Sequence, residues 1–160
     1  MAQALFVHGV AAVCLLVVGA GLTGRGRRTG STAAVAAGWA GRAAGVLAAV
    51  QLVLELIAVS GADPASPGRT GALFEAVQRT DGAKMLALAV LAAATCAASR
   101  HSTLLRRREA VLARVLAVAI TVSGVGYLLL HPALTPAAFV SLPLLLIWIA
   151  VLGAALGGRP

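Results

Sequence analysis

Residues 137–156 read AAFVSLPLLLIWIAVLGAAL, a run of twenty positions without one charged side chain. A helix rises about 1.5 Å per residue, so about 20 apolar residues cross the roughly 30 Å hydrocarbon layer of a bilayer. The run predicts a membrane-spanning helix, with Pro143 inside it and expected to kink it. Four more runs lie upstream. Residues 110–130, AVLARVLAVAITVSGVGYLLL, carry only Arg114 and stop at His131-Pro132, where proline disfavours helix in the residue before it. Residues 83–99, 41–59 and 2–22 supply three further spans. The expected fold is all-α: one integral membrane bundle of five transmembrane helices over residues 1–160.

Composition agrees with that reading. Of 160 residues, 60% are hydrophobic and 11% charged, where a soluble domain carries about a quarter charged residues. A soluble core of this size could not hide so much apolar surface. The net charge of +8 is not a nucleic-acid signature, because the basic residues sit in short loops between spans with few aromatics beside them. The first span resembles a signal peptide only in its apolarity. Its arginines, Arg25, Arg27 and Arg28, follow the apolar stretch rather than precede it, which predicts a retained helix.

The connections read as a basic segment at 23–30, a long stretch at 60–82 that opens with the Pro/Gly-rich residues 60–71, a basic run at Arg106, Arg107 and Arg108, and a short turn containing Pro136. Within the long stretch, Leu73, Phe74 and Val77 share one helical face and Glu75, Gln78 and Arg79 the other. That pattern predicts a short helix lying on the membrane surface. Arg42 is expected to snorkel to the headgroups. Ten Lys/Arg residues fall on one side of the expected topology, and three, Arg69, Arg79 and Lys84, on the other. The positive-inside rule makes the arginine-rich side cytoplasmic, with the N-terminus outside and the C-terminus inside a bacterial-type cytoplasmic (inner) membrane.

Ionisable side chains at membrane depth are costly and mark functional sites. His8, Glu55 and His131 come from three spans yet fall in the same outer layer, and Gln51 lies four residues from Glu55 on the same face. Two imidazoles and a carboxylate can hold copper(II) or zinc, two imidazoles alone can ligate the iron of haem b, and a carboxylate–imidazole pair can move protons. Gln51 reads as interhelical glue. Cys14 and Cys96 sit at similar depths and could relay copper(I), although buried cysteine more often behaves as a small apolar residue. Gly41/Gly45 and Gly153/Gly157 have GxxxG spacing, which permits close helix approach. No phosphate-binding loop, metalloprotease spacing or nucleophile motif occurs, so an enzyme is not expected.

Residues 77–132 resemble the copper resistance protein D (CopD) family. The resemblance runs through Gln78-Arg79-Thr80-Asp81-Gly82, the helix from Lys84 to Ser99, the basic loop Arg106-Arg107-Arg108-Glu109, and the helix from Val111 to His131-Pro132. Leu5-Phe6-Val7-His8-Gly9 is similar to the family's His-bearing helix. The resemblance implies a multi-pass inner-membrane protein for copper uptake or tolerance. Its metal site would lie near the extracytoplasmic face with His8 as a ligand, and a periplasmic or extracellular copper-binding protein would be a partner. Two other expectations stand beside it: a b-type haem electron carrier with His8 and His131 as axial ligands, and a non-catalytic subunit of a membrane complex.

Overall fold

The computed structural model describes residues 2–61, 67–100, 104–131, 133–134 and 137–157, with side chains described from His8 in the first helix and from Gly68 in the third. The described residues form five α-helices: α1 (Ala2–Thr29), α2 (Thr32–Ser60), α3 (Pro67–Ala98), α4 (Arg107–Leu128) and α5 (Ala137–Leu156). All five are long and apolar enough to cross a membrane. Each packs against the next in sequence, and α5 returns to touch α1 lightly. The five therefore form a ring.

Four helix boundaries differ from the sequence expectation: α2 starts at Thr32 rather than at residue 41, directly after a two-residue hairpin, and three others have visible reasons of their own. The basic segment at 23–30 is not a loop: α1 continues through Arg25, Arg27 and Arg28 to Thr29. Arginine is a good helix former, and cations are favoured at a helix C-terminus. The hairpin to α2 is only Gly30 and Ser31. Gly30 adopts φ 68°, a conformation glycine enters without a Cβ penalty, and Ser31 N–H returns to the Gly26 carbonyl at 2.9 Å. Ser31 then caps α2, its hydroxyl accepting from Ala34 N–H at 3.2 Å.

The expected surface helix and the third span are a single helix, α3, of 32 residues. Gly82 does not break it, because Gly82 serves packing rather than a turn. A Cβ there would lie 2.8 Å from the Gly124 carbonyl oxygen and 2.8 Å from the Leu128 nitrogen, so α3 and α4 cross with their backbones nearly touching. Finally, α4 ends at Leu128, ahead of His131-Pro132. Leu130 takes φ 53° and His131 N–H bonds to the Gly126 carbonyl at 2.8 Å, closing the helix with a left-handed residue. Pro132 and Pro136 lie outside the described residues.

The tightest seam joins α1 to α2. A Cβ on Gly19 would stand 2.7 Å from the Gly38 carbonyl oxygen, and one on Gly45 would meet Leu16 at 2.9 Å. Gly41 and Gly45 therefore act as the GxxxG spacing implies. Gly153 has nothing within 4 Å, so the second such spacing makes no helix contact. The core of the ring holds Leu88, Leu91, Leu116, Ile120, Trp148 and Leu152, all buried. Its outer surface is apolar too, with Val13, Val17, Val53, Val118, Phe139 and Leu146 exposed. Lipid tails are as apolar as these side chains, so a surface that water would reject is stable in a bilayer.

Candidate polar site at one end of the bundle

The two ends of the bundle differ in chemistry. One collects the end of α1, the starts of α2 and α4 and the end of α3, and with them Arg25, Arg27, Arg28, Arg100, Arg106, Arg107 and Arg108. Arg42 lies nearly three turns into α2 and lays its guanidinium over the Trp39 ring at 5.0 Å, back toward that end as snorkelling requires.

The opposite end holds a connected polar network. His8 near the start of α1 places Nε2 3.1 Å from Glu55 Oε1 near the end of α2, both side chains about four-fifths buried. One turn back on α2, Gln51 donates from Nε2 to the same Glu55 oxygen at 3.3 Å. Gln51 Oε1 accepts from Lys84 Nζ of α3 at 2.5 Å, and Lys84 pairs with Asp81 Oδ1 at 2.5 Å. Gln51 is 4% exposed and Lys84 9%. The network thus runs across three helices as imidazole, carboxylate, amide, ammonium and carboxylate. Each side chain of this network has a polar partner, as an apolar surrounding demands. Gln51 bridges α2 to α3, the packing role its type suggested.

Beside the network lies a cavity of about 390 Å³ at the centre of the ring. Its polar wall consists of His8, Gln51, Asp81, Lys84 and Tyr127. Its apolar wall includes Leu15, Met85, Leu88 and, from α5, Leu142, Leu145 and Ile149. Met85 adds a thioether to the wall that carries the His8 imidazole. Formal charges on Glu55, Asp81 and Lys84 sum to minus one when His8 is neutral.

The structure brings His8 and Glu55 together and leaves the other expected positions apart from them. His131 shares this end of the bundle, but its side chain is exposed in the α4–α5 turn and does not line the cavity. Cys14 is exposed on the lipid face of α1, while Cys96 is buried against α4, its sulfur 3.7 Å from the Ala110 carbonyl oxygen and accepting from Arg114 Nε at 3.3 Å. The two thiols therefore face different surroundings. Among the described residues, no three His, Cys, Asp or Glu side chains gather around one point.

Asp81, Lys84, Met85 and Tyr127 join the site without having been singled out for it. Starting the third span at residue 83 hid the first two, since Asp81 then read as a loop residue and Lys84 as an interfacial one. The signal that could have found them is their i, i+3 spacing, which makes them neighbours on one helical face. Compared with known proteins, the chain matches no family model, no curated protein and no solved structure.

Proposed function

We propose that this protein binds copper at the polar end of its bundle and handles it as cargo for uptake or tolerance. The observation that carries the proposal is the 3.1 Å separation of His8 Nε2 and Glu55 Oε1, contributed by two helices. Nitrogen and carboxylate donors sit about 2.0–2.2 Å from a first-row metal ion. Two such donors at a right angle to one another are then roughly 3 Å apart. The pair is spaced to grip one ion without moving either helix. Met85 offers a soft sulfur donor in the same cavity, which suits copper(I), while imidazole and carboxylate suit copper(II). The Lys84 ammonium repels a cation at His8, and the carboxylates of Glu55 and Asp81 act against that repulsion.

The arginine-rich end faces the cytoplasm in this proposal, by the positive-inside rule. The His8 end then opens to the outside of a bacterial-type cytoplasmic membrane, where an extracytoplasmic copper-binding protein could deliver the ion. The residues conduct no bond-making chemistry; they coordinate and release.

The test is metal analysis and copper titration of the purified protein under reducing and oxidising conditions, wild type against His8→Ala. About one copper per chain in the wild type, with affinity lower by at least tenfold in the variant, supports the proposal. No binding in either redox state overturns it. An absorbance spectrum on the same sample separates copper from haem, since haem gives an intense Soret band.

A further inference from the structure

We infer that the central cavity is a binding site for a neutral, carbonyl-bearing, membrane-soluble molecule of the quinone type, entering from the lipid between α1 and α5. This goes beyond copper binding and needs no metal. Three observations carry it. The first is a lateral opening: α1 and α5 scarcely touch, and Leu142 and Leu146, which line the cavity, are 48% and 70% exposed to the lipid side. A hydrated ion gains nothing from an apolar side entrance. A lipid-soluble molecule does.

The second is the division of the wall. Polar side chains crowd the end nearest the membrane surface, while Leu15, Leu88, Leu145 and Ile149 line the part toward mid-membrane. A ligand with a hydrogen-bonding head and an apolar body matches both halves. Packed interiors leave few voids larger than a water molecule, and 390 Å³ lies within the range of small-molecule sites.

The third is the chemistry of the polar wall, which selects the head. Among the described residues, no hydrogen bond engages the Tyr127 hydroxyl, and Lys84 uses two of its three N–H donors, on Gln51 and Asp81. Two unused donors on side chains that line the cavity call for an acceptor. A phosphate or carboxylate head is disfavoured, because Glu55 and Asp81 leave the site one negative charge in excess of Lys84. A ring carbonyl accepts both hydrogen bonds and brings no charge.

The test uses metal-free protein with chelator present, so that its outcome is independent of copper binding. Trp39→Phe leaves Trp148 as the sole tryptophan, placed on α5 between Leu145 and Ile149 of the cavity wall. Decyl-benzoquinone is titrated in detergent micelles and tryptophan quenching followed. Saturable quenching is expected. Tyr127→Phe, which removes one donor, weakens it about three- to tenfold, and Leu146→Phe, which narrows the entrance without adding a second tryptophan, weakens it independently. Decylbenzene and oleate, lacking a neutral carbonyl, do not compete. Quenching that rises linearly and equally in wild type and both variants overturns the inference, as does equal competition by decylbenzene or oleate.

Discussion

Replacing Gly38 by alanine tests the α1–α2 seam, the contact that brings His8 to Glu55. A Cβ at this position would stand 2.6 Å from the Thr23 nitrogen and 2.7 Å from the Gly19 carbonyl oxygen. Heavy atoms in favourable contact lie about 3.5–4.0 Å apart, so the helices must separate by on the order of half an ångström or more. The same Cβ would fall 2.2 Å from Thr23 Oγ1, which now donates to the Gly19 carbonyl at 2.8 Å. That hydroxyl must swing away. Overpacking costs about 1–3 kcal/mol, and two backbone obstacles place this case toward the upper end. The lost hydrogen bond, about 1 kcal/mol, is offset by the similar gain in helix propensity from glycine to alanine. The net loss is about 2.5 kcal/mol, roughly seventyfold in the folding equilibrium.

Gly153→Ala is the matched control, chemically identical but with nothing within 4 Å. It should be neutral or slightly stabilising. Both variants are unfolded reversibly in mixed micelles with increasing denaturing detergent, following tryptophan fluorescence. If helices persist in the unfolded state, the propensity gain drops out of both variants equally and the difference between them remains. Copper affinity should fall in Gly38→Ala and stay level in Gly153→Ala. Equal unfolding midpoints for the two variants would refute the reasoning.

Glu55→Gln keeps an acceptor for Gln51 but removes the anionic donor, so copper affinity should fall at least tenfold while the unfolding midpoint moves little; isothermal titration reads the first and detergent unfolding the second. A lipid-soluble maleimide should label Cys14 in the folded protein, whereas Cys96 should react only after unfolding, as mass spectrometry of the two peptides would show. The Ser123 hydroxyl is fully buried with no hydrogen-bond partner among the described residues, so Ser123→Ala should leave stability unchanged or raise it by up to about 1 kcal/mol in the same unfolding assay.

The number of helices and their class were legible because the apolar runs match the bilayer in length and need no knowledge of packing. The helix ends were less so. Hydropathy marks where a chain stops being apolar, which is not where it stops being helical: α1 runs on through its arginines and α3 begins sixteen residues before the expected span at residue 83. Glycines were ambiguous for the same reason. Gly30 ends a helix, Gly82 lets two helices touch, and Gly153 touches nothing, yet all three read alike without neighbours.

The site divides along the same line. His8 and Glu55 could be singled out because a polar side chain in an apolar run is conspicuous, and their common depth follows from counting turns. Lys84 could not, because a lysine at the edge of a span reads as one more topology charge beside Arg69 and Arg79. What distinguishes it is its partners. Arg79 pairs with Glu75 on the exposed first half of α3, where water screens the charges and the pair contributes little. Lys84, five residues on, is buried between Asp81 and Gln51, where removing either partner would strand a charge or a carbonyl in an apolar surrounding. That same burial determines the site's charge. Without Lys84 the end of the bundle would hold two uncompensated carboxylates, and with it one negative charge remains, the balance on which both the proposed cation site and the proposed preference for a neutral ligand head rest.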